Sequence, residues 1–217
     1  MSQPQSAAGA DVRRQIVEVV HELYTSQLVT ATGGNVSARA GEGQAWITPS
    51  QLFKGDLSPE ILVRIDLDGK PLDPGSRKPS SESLMHTAIL KARPDVQCVI
   101  HAHAPHATIL VNAGLPFLPI STEAAFLVNI GRIPFVMPGS QEMADAVVKA
   151  LGTGWAVLMQ NHGIVIAGKS LRRAADMAEI LDRSSQVILG CYAVGKEPPV
   201  LHEKIVKMLS QYADLMA

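Results

Sequence analysis

"QCVIHAHAPHATILVNAG", residues 97–114, changes its rhythm halfway along. Residues 97–104 are rich in β-formers and read as a buried strand, and residues 105–114, closed by glycine, read as a helix. "WAVLMQNHGIVIAG", residues 155–168, is two apolar runs joined by Asn161, His162 and Gly163, a hairpin signal. A strand that feeds a helix, together with a hairpin, predicts a layered α/β or α+β fold.

Outward from these segments, residues 11–28 place Ile16, Val19, Val20 and Leu23 on one helical face, with His21 read as a surface or packed histidine. "ATGGNVSAR" breaks that helix, and "AWITPS" and "LVRIDLDG" read as short strands. "PSSESLMHTAILKARPD" predicts a helix with a serine cap, Glu82 in the first turn and Pro94 at the far end. Ser140 is the expected cap of a helix over "SQEMADAVVKALGTG". Residues 170–194 form a long amphipathic pattern, and "VLHEKIVKMLSQYADLM" reads as a last helix. No repeat or linker divides the chain, so one domain is expected over 11–217, behind a disordered lead-in at 1–10.

The formal net charge is −1, with 47% hydrophobic and 18% charged residues, ordinary values for a protein with a sizeable core. Without a basic stripe or a polybasic segment, neither nucleic acid nor an anionic membrane is an expected partner. The apolar runs are far too short to span a bilayer, and the first residues lack the layout of a signal peptide. Cys98 and Cys191 lie in apolar surroundings without CxxC spacing. Buried free thiols and a cytoplasmic location are therefore expected.

Three of the seven histidines fall within residues 101–106. On a strand, His101 and His103 share one face, roughly 7 Å apart at the backbone, and two imidazoles can close on one metal from there. A third ligand has to come from elsewhere. His162 is the candidate, because Gly163 can take a positive φ and aim the side chain before it. The pair alone is equally compatible with packed histidines, and His106, out of line with them, is expected to pack or to support a ligand. Ser80, Ser81 and Glu82 stand at a helix start, where free amides favour a phosphate, although a plain cap with an acidic first turn has the same pattern. Gly33 and Gly34 allow close backbone approach to a ligand and Asn35 adds an amide donor, but a glycine pair also marks an ordinary turn.

In order along the chain, "TGGNVSAR", "ITPS", "KPSSE", "HAHAPHAT" and "NHGIVIAG" resemble the class II aldolase/adducin family, and within it the fuculose-phosphate aldolases. The resemblance runs from about residue 12 to about 195. It implies a layered α/β/α domain on a largely antiparallel central sheet, assembled as a homotetramer with active sites at subunit interfaces. It implies that His101, His103 and His162 bind zinc, and three histidines also accept manganese or cobalt. Glu82 matches the glutamate that contacts the resting metal and acts as catalytic base. Gly34, Asn35, Ser80 and Ser81 match the substrate-phosphate site, as does Ser50, although Gln51 stands where the family loop has glycine.

The implied activity is that of a zinc-dependent lyase. It would cleave a phosphorylated sugar, a ketose 1-phosphate, reversibly to dihydroxyacetone phosphate and an aldehyde, with the metal stabilising an enediolate as a Lewis acid. The phosphate seat would supply remote binding energy to the reacting carbons. One departure concerns the tyrosine that the family's aldolases extend from a neighbouring subunit as proton donor. The only tyrosines here are Tyr24, Tyr192 and Tyr212, none in the matching region. Glu123, in "STEAAF", stands there instead. It is either an acid/base group, as in a related dehydratase, or the start of a helix after Ser121. Tyr212 is a candidate for a C-terminal tyrosine folded over the site. Relatives with the same histidines include decarboxylases of hydroxylated aromatic or sugar acids and sugar-phosphate dehydratases. Epimerases carry aspartate where Glu82 stands. The non-enzymatic adducin-like module is disfavoured by the presence of all three histidines and Glu82.

Overall fold

The computed structural model describes residues 7–127 and 129–212. Its apolar runs assemble one seven-stranded sheet. In chain order the strands are β1 (Asn35–Gly41), β2 (Gln44–Ile47), β3 (Val63–Asp66), β4 (Cys98–Ala102), β5 (Gly131–Ile133), β6 (Ala156–Met159) and β7 (Gly163–Gly168). They lie in the order β3-β2-β1-β4-β7-β6-β5. Every neighbouring pair is antiparallel except β5 with β6. The helices are α1 (Ala7–Thr25), α2 (Ser83–Ala92), α3 (Pro105–Asn112), α4 (Gln141–Leu151), α5 (Leu171–Ala193) and α6 (Glu203–Ser210).

Helices α1, α3 and α5 pack together on one face of the sheet, and α2 and α4 on the other. Strands β4, β6 and β7 are buried along their whole length, so they read as continuous apolar runs rather than alternating ones. The expected layered α/β/α domain on a largely antiparallel sheet is what the chain forms. No helix among the described residues is long and apolar enough to cross a membrane.

Several elements differ from the sequence expectation. The first helix, described over Ala7–Thr25, takes in residues 7–10 of the expected lead-in, and residues 1–6 lie outside the described residues. Strands β1 and β5 were not anticipated, β1 because Ser37 and Arg39 interrupt its apolar pattern and β5 because it is three residues long. Glu82 occupies the cap position of α2, not its first turn, and no side chain caps that helix. Ser140 does cap α4, its Oγ accepting from Met143 N–H at 3.1 Å. Both cysteines are free, Cys98 buried as expected but Cys191 only half-buried. His21 is exposed on α1.

Candidate metal centre and active site

The register of the central strands sets the site. His101 lies opposite Asn35 on β1 and opposite Val165 on β7. Directly opposed residues share a sheet face, so Asn35 and His101 stand side by side. His101 is fully buried and its Nδ1–H donates to Ile164 O at 2.9 Å. That bond fixes the tautomer and turns the Nε2 lone pair inward. His103 lies just past the end of β4, its N–H donating to Leu28 O at 2.8 Å. The two Nε2 atoms are 3.1 Å apart.

The β6–β7 hairpin brings the third imidazole. The His162 ring lies 4.7 Å from that of His101 and 5.7 Å from that of His103, centroid to centroid. The expected role of Gly163 is corrected here. The positive φ of the turn, 57°, belongs to Asn161. Gly163 is needed for close approach, because a Cβ there would meet Ala102 O at 2.3 Å.

Glu82 completes the cluster. Its Oε2 is 3.3 Å from His101 Nε2 and accepts from Asn35 Nδ2 at 2.8 Å. Its Oε1 is 3.2 Å from His162 Nε2 at an angle that makes no hydrogen bond, and is buried without a donor. Imidazole lone pairs and a carboxylate that converge in this way repel one another unless a cation lies among them. Two nitrogens bound tetrahedrally to zinc at about 2.0–2.1 Å would lie about 3.3 Å apart, close to the spacing found. The donor set therefore fits a divalent metal of the zinc type, and the ligand atoms of His101, His103 and His162 all lie within 4.8 Å of one another.

Burial pushes the His101 imidazole down to about 3, so it stays neutral with its lone pair available. Burial, then the charge of His162, also lowers His103. Burial raises the Glu82 carboxyl, but the imidazoles of His162 and His101 and the Asn35 amide outweigh it and hold the group ionised, well below the usual carboxylate range.

Behind Glu82 runs a buried polar chain that the sequence reading missed. His86 Nε2 is 2.5 Å from Asn35 Oδ1, and Ser37 Oγ is 2.7 Å from His86 Nδ1. Since an amide oxygen only accepts, His86 donates from Nε2 and Ser37 O–H donates to Nδ1. Burial lowers His86 to about 4, consistent with this neutral tautomer. The signal was present in "SSESLMH": His86 follows Glu82 by four residues, one helical turn away.

The expected phosphate seat is brought together from three segments. Val36 N–H donates to Thr48 Oγ1, Ser80 N–H to Thr48 O and Ser50 N–H to Lys78 O. Gly34 has φ 78°, and Gln51 adopts φ 55°, a left-handed backbone conformation that favours glycine. Ser80 is buried and accepts from Glu82 N–H at 3.3 Å, while Ser81 is exposed. Asn35 turns its amide toward Glu82 as well as lying beside the seat. A second missed residue is Lys54, on a short 3-10 helix, only 3% exposed. Its N–H donates to Ala31 O, burial pushes its ammonium down to about 8, and its charge acts on His103.

Glu123 is not brought to the cluster within one chain. It is exposed and precedes the 3-10 helix Ala124–Phe126, whose first N–H is capped by Ser121 Oγ. Tyr212 is exposed beyond α6. His106 packs as expected: its Nδ1 and N–H both bond to Asp182 on α5, at 2.7 and 2.8 Å.

The chain and its fold are similar to several known proteins. The chain is 31% identical over 201 residues to a 5-deoxy-D-ribulose 1-phosphate aldolase of Bacillus thuringiensis, covering 92% of this chain and 93% of that one. It is 32% identical over 202 residues to the L-fuculose phosphate aldolase of Escherichia coli K12, with the same coverage of 92% and 93%. It is 31% identical over 183 residues to a 3-oxo-tetronate 4-phosphate decarboxylase of Haemophilus influenzae, covering 79% and 84%. A solved L-fuculose 1-phosphate aldolase superposes with a TM-score of 0.84 at 26% identity, over 97% of both chains. The sequence pattern of the Class II Aldolase and Adducin N-terminal domain matches residues 14–189. The chain belongs to the class II aldolase and adducin family.

Proposed function

We propose that this class II aldolase acts on a ketose 1-phosphate, cleaving it reversibly to dihydroxyacetone phosphate and an aldehyde. The observation that carries the reading is Glu82 Oε1, a buried carboxylate oxygen without a donor at the mouth of three converging imidazoles. His101, His103 and His162 would hold a divalent metal, zinc in the first instance. When bound, it supplies Lewis-acid stabilisation of the negative charge that develops on the substrate's carbonyl and hydroxyl oxygens. Glu82 is ionised and can take a proton from the substrate at Oε1, while Asn35 holds Oε2 in place. The segments around Gly34, Ser50, Ser80 and Ser81 anchor the phosphate, so that its binding energy serves the reacting carbons. Glu123 would act as acid/base only from a neighbouring copy, in a homotetramer with sites at subunit interfaces.

The test is proton exchange. Zinc-loaded protein is incubated with dihydroxyacetone phosphate alone in D2O and followed by NMR. Metal-dependent loss of one hydroxymethyl proton is the expected result. No exchange at one metal per chain would overturn the aldolase reading. It would favour the second reading, a decarboxylase acting on a phosphorylated sugar acid at the same residues, which the Haemophilus influenzae relative supports.

A further inference from the structure

A phosphate dianion next to the Glu82 carboxylate needs positive charge nearby. Apart from the metal proposed above, the seat foreseen from the sequence offers none. Ser50, Ser80 and Ser81 are neutral hydroxyls, and one N–H of Asn35 is committed to Glu82. Lys54 is the residue that answers this need. It is 3% exposed as a whole residue, whereas lysine is ordinarily among the most exposed residue types. Among the described residues no acceptor bonds to it, and no carboxylate pairs with it; Asp56, two residues on, is exposed. A lysine sunk this far into the fold without a partner is costly and calls for an anion.

Its position says which anion. The Lys54 main chain is tied to Ala31 O at 2.8 Å, on the turn that leads into Gly33 and Gly34. Gly33 lies against the His103 ring, where a Cβ would come within 2.8 Å of ring atoms. Four residues before Lys54, Ser50 is bonded to the Lys78 backbone at the edge of the serine pair. Lys54 thus stands between the glycine turn and the Ser50 loop, within electrostatic reach of His103.

We propose that Lys54 binds the phosphate of the substrate, as the cation of a seat whose other donors are neutral. This rests on the reading of a phosphorylated substrate given above. It assigns Lys54 a binding role, with no proton transfer.

The test compares zinc-loaded wild type with Lys54→Met and Lys54→Arg. Binding of inorganic phosphate, dihydroxyacetone phosphate and unphosphorylated dihydroxyacetone is measured by calorimetry, with metal content determined alongside. In Lys54→Met, phosphate and dihydroxyacetone phosphate are expected to bind at least about tenfold more weakly, with dihydroxyacetone and metal content unchanged. Lys54→Arg is expected to recover part of the loss. Phosphate binding that is absent in wild type, or equal in wild type and Lys54→Met, overturns the proposal. Equal loss of phosphorylated and unphosphorylated ligands also overturns it, because the ammonium would then serve the reacting oxygens. Should Lys54→Met fail to fold, the wild-type Lys54 Nζ resonance, labelled with 15N, decides: it shifts on phosphate addition if the contact forms and stays in place if not. The aldolase reading is judged separately by proton exchange. Tight phosphate binding through Lys54 without exchange would sink that reading and leave Lys54 in place.

Discussion

Asn35 Nδ2 donates to Glu82 Oε2 at 2.8 Å, while Asn35 Oδ1 accepts from His86 behind it. The asparagine is therefore a coupling piece between a buried helix histidine and the carboxylate at the candidate metal centre. Its two amide ends cannot be exchanged without leaving both partners with like groups facing each other.

This geometry predicts the effect of removing His86. In His86→Leu the Asn35 amide loses its anchor and Glu82 loses its fixed orientation. Proton exchange on dihydroxyacetone phosphate should slow by about 10–100-fold, the range seen when groups that orient metal-site residues are removed. Bound metal should stay near one per chain. His86→Gln, which keeps an N–H toward Asn35, should recover part of the rate. Wild-type exchange in His86→Leu would show that Glu82 is held by other contacts.

A second prediction separates the metal from the base. His103→Ala removes one of three converging nitrogens and should lose stoichiometric zinc after dialysis, measured by elemental analysis. Glu82→Gln should keep zinc and the folded circular dichroism spectrum but abolish exchange. Full zinc retention in His103→Ala would refute the ligand set, and near-normal exchange in Glu82→Gln would refute the base.

Most of the layered fold was legible from sequence because β4, β6 and β7 are continuous apolar runs and the helices carry clear periodicity. β1 was not legible, since its inward side chains include Asn35 and Ser37, polar residues whose partners come from α2. The three histidines and Glu82 were legible as residue types in order. Their support was less so. His86 gains meaning only when α2 is laid over β1, and Lys54 only when its loop is folded against Ala31. The turn before Gly163 shows the same limit: spacing pointed to a positive φ at glycine, whereas the Ala102 carbonyl is what excludes a side chain there.

Acid should destabilise the metal-free protein in a defined window. His86 is held at about 4 and His101 at about 3 by burial, below the ordinary value of about 6.5. Between those values the unfolded chain binds protons that the folded chain refuses, so stability rises with pH and falls on acidification from about 6.5. Each histidine contributes a loss of about 2 kcal/mol by pH 5. The urea midpoint should therefore fall steadily between pH 7 and pH 5. A constant midpoint across that range would mean that one or both imidazoles accept a proton in the fold.

Gly163→Ala tests the close approach that delivers His162. The added methyl would lie 2.3 Å from Ala102 O and 3.3 Å from His103 Cα, both backbone atoms. Neither can swing aside as a side chain could, so β7 must shift away from β4. Overpacking of this kind costs on the order of 1–3 kcal/mol, and a chain of this length loses about 2–4 °C of Tm per kcal/mol. A Tm lower by up to about 10 °C is expected, together with weaker zinc binding, because the shift carries His162 away from His101 and His103. Calorimetry with and without zinc separates the two effects. If the variant lost stability but bound zinc as tightly as wild type, the hairpin would be adjusting elsewhere and the Ala102–Gly163 contact would not be what positions the third histidine.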